Sequence, residues 1–174
     1  MSVKAIFCKV VLCVLLIGCS SSKISVVSNL IRVDHPVNAI AVAPGRGFMA
    51  EAIAIELLNK GFRVIDPAQT SNLMIRLNLT EVDVSLPTGL AALKDAGIDA
   101  YLTVMTISNY QGRIESATAR VTSTHNGQII AGVSWQNGWG CAPDSPCDAL
   151  MSSGTTEAAQ EIVVGLAKTL KANQ

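Results

Sequence analysis

Ala117-Thr118-Ala119-Arg120-Val121-Thr122, then Asn126-Gly127, then Ile129-Ile130-Ala131-Gly132-Val133-Ser134-Trp135: the reading of this stretch decides the fold. Ala117, Ala119 and Val121 alternate with Thr118, Arg120 and Thr122, the period-two pattern of a strand with one wet face. Asn-Gly suits a tight hairpin turn, whose central positions need positive φ. Ile129, Ala131, Val133 and Trp135 are expected to share one face of the strand that follows. Just upstream, Ala100 to Tyr110 is long and starts apolar on both faces, as an interior strand does. Three successive strands therefore form a meander in the second half of the chain.

Before the meander, strands and helices alternate. Ala39-Ile40-Ala41-Val42-Ala43 is a short apolar strand ended by Pro44-Gly45. A helix is expected from about Arg46 to Lys60, with Phe48, Met49, Ala52, Ile53, Ile55, Leu57 and Leu58 as a wide apolar stripe. Gly61 stops it, and Phe62-Arg63-Val64-Ile65 is a second strand. Asp66-Pro67 reads as an N-cap followed by proline at the first helical position of a helix through Leu73, Met74 and Leu77. A shorter helix lies within Ser85 to Ala96, with Leu90, Leu93 and Ala96 on its apolar side. The last helix, Thr155 to about Leu170, buries Ala159, Ile162, Val163, Leu166 and Leu170. These elements predict one compact α/β (α+β) domain over residues 39–174: a mixed sheet of about five strands packed with helices, closing on a C-terminal helix.

The amino end carries a different signal. Lys4 and Lys9 precede the apolar run Val10 to Ile17, and Gly18-Cys19-Ser20 follows. A charged start, a short apolar run and a small residue describe a cleaved export signal over residues 1–18. The run falls short of the roughly 20 residues that a membrane-spanning helix needs. Leu16-Ile17-Gly18-Cys19 resembles the lipobox of bacterial lipoprotein signal peptides. That resemblance implies lipidation at Cys19, palmitate-type acyl chains and a membrane held through lipid. Ser20 after the cysteine, in place of an Asp, implies the outer membrane, with the domain facing the periplasm. An ordinary cleaved signal or an N-terminal anchor is the competing reading. Residues 19–38 then read as lipidated N-terminus and tether, able to reach roughly 60 Å at about 3.3 Å per residue. Ile24, Val26, Val27, Leu30, Ile31 and Val33 suggest that part of it packs on the domain as a strand.

Thirteen basic residues balance thirteen acidic ones, and removing residues 1–18 leaves 11 against 13. No basic run is present, so nucleic acid is not an expected partner. Cys141 and Cys147 are the two cysteines left once Cys8, Cys13 and Cys19 are assigned to the signal and the anchor. In an oxidising compartment an even pair reads as a disulfide, closed here around a loop with Pro143 and Pro146. Free thiols or half of a metal site are the alternatives. His35 and His125 are far apart in sequence, so no metal ligand set is expected.

The order of elements, with these local sequences, resembles one periplasmic domain family. The matches are Ala39 to Pro44, Gly61 to Asp66, Ala96-Gly97-Ile98-Asp99-Ala100-Tyr101-Leu102 and Asn126 to Ile130. The domain is shared by the curli-secretion channel lipoprotein, the penicillin-binding-protein activator lipoprotein and the N-terminal domain of the Tol-system translocation protein. The resemblance implies a non-enzymatic accessory or structural subunit of a secretion system or envelope-spanning complex, acting by protein–protein interaction. The alternative it implies is a regulator of a cell-wall synthesis enzyme. Long alternating hairpins that could build a transmembrane barrel are not found.

A third reading is a dinucleotide-binding enzyme. Gly45-Arg46-Gly47-Phe48-Met49-Ala50 matches the fingerprint G-x-G-x-x-A after a strand, with Asp66 about 20 residues on. A plain strand-to-helix turn and a helix cap explain the same residues, and a meander replaces the further parallel strands such a fold requires. No catalytic residue and no cofactor is expected. Ser134 lacks the second glycine of a nucleophile elbow. His125, Asp144, Asp148, Tyr101 and Tyr110 have ordinary turn or sheet roles available. Trp135 is expected in the core. Trp139, beside the disulfide loop, is the candidate partner contact.

Overall fold

The computed structural model describes residues 22–27, 35–45, 47–138, 145–147 and 152–172. Within these residues the elements are, in order, β1 (Lys23–Val27), β2 (Ala39–Val42), α1 (Phe48–Asn59), β3 (Arg63–Ile65), α2 (Pro67–Arg76), a 3₁₀ turn (Asp83–Ser85), α3 (Pro87–Asp95), β4 (Ala100–Ser108), β5 (Ile114–Ser123), β6 (Ile129–Gln136) and α4 (Thr155–Ala172). The six strands form one mixed sheet in the order β1-β6-β5-β4-β2-β3. β3, β2 and β4 are parallel, and β4, β5, β6 and β1 are antiparallel. The sheet exceeds the expected five strands by β1. That strand comes from the stretch read as tether, where Ile24 and Val26 lie opposite Trp135 and Val133 of β6.

Helices cover the sheet unevenly. On one face α1 and α4 close the larger core over Ile40, Leu102, Ala119, Val121, Val133 and Trp135. The stripe expected on the last helix is fully buried: Ala159, Ile162, Val163, Leu166 and Leu170. On the other face α2, the 3₁₀ turn and α3 cover the start of β4 and β2, burying Met74, Val84, Leu90 and Leu93 against Ala41 and Tyr101. Asp66 caps α2 as expected, its carboxylate accepting the Gln69 N–H at 2.7 Å.

Two expectations are corrected. The apolar stripe of α1 is narrower than its composition suggests. Met49, Ala50, Ile53, Ala54 and Leu57 are buried, whereas Phe48, Ile55 and Leu58 are exposed, because one arc of a helix meets the sheet. Along β6, the register shifts by one residue: Thr122 pairs with Ile129, but Val121 pairs with Ala131. Ile130 is the extra residue of this bulge and turns into the core, leaving Ile129 exposed.

Candidate interaction surface

The amino-terminal strand is locked to the domain through one carboxylate. Trp135 fills the core at 1% exposure. Its indole N–H still needs an acceptor, and the Glu161 side chain of α4 supplies it at 2.6 Å. The same oxygen accepts from the Ser22 hydroxyl, one residue before β1. Gly165 of α4 leaves room beneath this corner: a Cβ there would lie 2.9 Å from Val133 Cγ2 and 3.1 Å from Val26 Cγ2.

A second staple sits at the opposite end of the sheet. Asp99 Oδ2 accepts the backbone N–H groups of Asn38 and Ala39 at 2.9 and 2.8 Å. Thr124 donates its hydroxyl to the Ile98 carbonyl at 2.6 Å, and its own N–H bonds the Asp99 carbonyl. The His125 ring lies beside Asp99 and stacks on His35 with centroids 4.4 Å apart. The Ala96-to-Leu102 junction thus holds the entry to β2 against the β5–β6 turn. Next to it, a cavity of about 390 Å³ is lined by Ser85, Pro87, Leu90, Lys94, His125 and Asn126, among others.

The remaining surface of interest is the part of the second sheet face beyond α2 and α3, which no described helix covers. Its side chains fall into three cross-strand rows. Ser25, Ser134, Thr118 and Met105 form the middle row. Lys23, Gln136, Ser116 and Ile107 lie on one side, and Val27, Gly132, Arg120 and Thr103 on the other. The face is polar at its centre and apolar at its β4 border, where Met105 is 69% and Ile107 65% exposed. Tyr110, just past β4, is also exposed. Sequence reasoning missed Met105 and Ile107. Their alternation reads equally well as core, and nothing local marks where α2 and α3 stop covering the sheet.

The sequence-predicted sites are only partly brought into view. Cys19, Trp139, Cys141, Asp144 and Asp148 lie outside the described residues. Cys147 is exposed and is engaged rather than free. Gly47 adopts φ 140° at the start of α1 with no side-chain cap, and Arg46 lies outside the described residues. The Asp66 carboxylate is already spent on its own helix. Ser134 stands on the open face between Thr118 and Ser25, away from the turn that carries His125. Among the described residues no cluster of three or more His, Cys, Asp or Glu side chains could hold a metal ion, and no helix is long and apolar enough to cross a membrane.

Two side chains have perturbed ionisation. Burial pushes the Tyr101 phenol up to about 12, with the Glu81 charge adding to it. Hydrogen bonds from the Thr80 hydroxyl and N–H hold the Asp83 carboxyl below its usual value at the 3₁₀ turn.

No protein-family model and no curated protein matches the chain. Solved structures do show likenesses. Lipoprotein GNA1162 from Neisseria meningitidis is 21% identical over 65% of this chain and 90% of its own, with a TM-score of 0.46. The PelC dodecamer from Paraburkholderia phytofirmans is 12% identical over 84% and 98%, with a TM-score of 0.46. The LpoB C-terminal domain from Escherichia coli is 17% identical over 62% and 90%, with a TM-score of 0.38.

Proposed function

We propose that this chain is a non-enzymatic, lipid-anchored protein of the outer membrane, whose periplasmic domain serves as an accessory or structural subunit of a secretion or envelope-spanning complex. The observation that carries the reading is Leu16-Ile17-Gly18-Cys19 at the end of a short apolar run. Each buried methylene of an acyl chain contributes roughly 0.8 kcal/mol, so two or three chains on Cys19 make release negligible. Location is then a matter of lipid, and the domain is left to recognise a partner. The uncovered part of the sheet face, apolar at its β4 border, supports that role, as does the exposed row Phe48, Ile55 and Leu58 on α1. In this reading Cys141 and Cys147 close a disulfide loop that presents Trp139 as a further contact.

The test is native isolation of the acylated protein in mild detergent after crosslinking. The expected result is recovery in a large assembly with other envelope proteins. Recovery as a lone monomer sinks the assembly role, and a one-to-one complex with a cell-wall enzyme selects the regulator reading in its place. Mass measurement of the N-terminal peptide checks the anchor: an unmodified Cys19 or an intact Met1 contradicts it. Thiol labelling before reduction checks the loop, since reaction of both Cys141 and Cys147 removes the disulfide.

A further inference from the structure

β4 outruns its neighbour. The Ala43 N–H donates to the Leu102 carbonyl at 2.7 Å, and β2 pairs no further along β4. Successive residues of a strand turn their backbone groups to opposite sides. Thr103, Met105 and Ile107 turn theirs towards Arg120, Thr118 and Ser116 of β5, so Val104 and Thr106 face the side that β2 has left. Among the described residues, no backbone group bonds Val104 or Thr106 on that side. Such edges are normally guarded by charge, proline or brevity. β1 begins with Lys23, and β3 is three residues long and begins with Arg63. Thr103-Val104-Met105-Thr106-Ile107-Ser108 has no charge and no proline, and it is rich in β-branched residues.

We infer that this edge receives an extended strand from a partner protein, an apolar segment with an acidic residue, which lengthens the sheet where β2 stops. The inference rests on the reading of the domain as a partner-binding module and names its mode of binding. Unpaired N–H and C=O groups repeating along an edge are complemented by another backbone. Met105 and Ile107 set alternate apolar positions for the incoming side chains. Arg120 shares a row with Thr103 and has no ion pair among the described residues. The three rows of this face carry Lys23 and Arg120 and no acid, so the incoming carboxylate belongs at the Thr103 end. A second copy does not fit this demand, because Lys23–Val27, Arg63–Ile65 and Thr103–Ser108 contain no Asp or Glu.

Thr106→Pro isolates the edge. The N–H it removes faces away from β5, so the β4–β5 ladder is left intact. The probe is a capped synthetic peptide, Ser-Glu-Val-Thr-Val-Thr-Val-Gly, added to the full chain in mild detergent while amide exchange is followed by NMR. The expected result is at least about tenfold slower exchange at Val104 and Thr106, the protection that pairing confers on an open backbone. Thr106→Pro abolishes it at Val104 with the fold intact, and Arg120→Glu weakens peptide binding at least about threefold by reversing the charge. No slowing in the wild type, or slowing indifferent to both substitutions, overturns the inference. So does protection without peptide, which assigns the edge to a second copy if it rises with protein concentration and to the chain itself if it does not. Crosslinked isolation of Thr106→Pro separates this claim from the broader one: partners recovered at wild-type level overturn strand addition and leave the accessory role standing.

Discussion

Asp99 shows how much one side chain can organise in a small sheet. Its carboxylate satisfies two backbone donors at the entrance to β2, and its main chain joins the β5–β6 turn through Thr124. Asp99→Ala leaves Asn38 and Ala39 N–H groups without that acceptor, a loss of about 1–3 kcal/mol. Urea denaturation checks it: the expected change is a lower midpoint with an unchanged slope. Tyr101 supplies a pH dependence. Its folded-state value is raised to about 12 from 10.0, chiefly by burial and secondarily by the Glu81 charge. The folded state therefore holds the phenolic proton more tightly than the unfolded state does. The associated stability is whole below about 10 and is lost as pH rises towards about 12. Thermal melts of the wild type and Tyr101→Phe measure this directly, and the variant is expected to lack that part of the alkaline decline. Identical alkaline profiles would show that the phenol is not buried as described. Asp83 works in the opposite sense at acid pH. Its depressed value means that the Thr80 contacts are lost as the carboxyl protonates below its usual range.

Two glycines on helices have roles that helix propensity alone would misjudge. Alanine is normally better than glycine inside a helix by about 1 kcal/mol. In α3, however, a Cβ on Gly89 would sit 2.1 Å from the Asp83 carbonyl oxygen, a backbone atom of the 3₁₀ turn packed against the helix. Gly89→Ala is expected to displace the turn and lower the melting temperature sharply. In α4, Gly165→Ala presses on the Cγ methyls of Val133 and Val26, side-chain rather than backbone atoms, and overpacking of that kind costs about 1–3 kcal/mol. The melting temperature should fall in both variants and further in Gly89→Ala; a rise in either would show that propensity outweighs the packing. Neither role was readable beforehand, since close approach of two segments leaves no local trace. Strong local signals did read true: the buried stripe of α4, the Asp66–Pro67 cap and the alternation of β5 each follow from periodicity or a single hydrogen bond. Ile129 and Phe48 misled for a shared reason. Apolarity says that a residue could be buried, while a bulge or the orientation of a helix says whether it is. The same gap hid the open face, because Met105 and Ile107 differ from core residues in what the rest of the chain fails to cover.

The fold also limits how far the domain could stand from a membrane under the proposed acylation of Cys19. A free tether over residues 19–38 would allow roughly 60 Å. β1 instead takes Lys23–Val27 into the sheet, with Ser22 fastened to Glu161 beside Trp135. If Cys19 is acylated, Lys23 lies four residues further along the chain, a span of at most about 14 Å at 3.3–3.6 Å per residue. Lys23 is then held within that reach of the headgroups; it shares its cross-strand row with Ile107, so the β4 edge lies at the same end of the strands, three strands across, about 14 Å away at 4.7–4.9 Å per strand. In that case the anchor and the open edge share one end of the sheet, three strands apart. Spin labels on Ser25 and Thr106, read against nickel-chelating lipids in vesicles, measure the arrangement. Ser25, two residues from Lys23, is expected to relax strongly, and Thr106, at the same end of the strands, measurably. A twenty-residue Gly-Ser insertion after Ser20 should weaken the effect at Ser25 without altering the melting temperature. No relaxation at Ser25, or indifference to the insertion, would mean that β1 does not tie the domain to the bilayer. A chain that begins at Ser28 tests the same strand from the other side. Stripped of β1, the β6 edge loses five paired residues. Lower stability and concentration-dependent aggregation are expected, because β6 then presents an unpaired edge of its own.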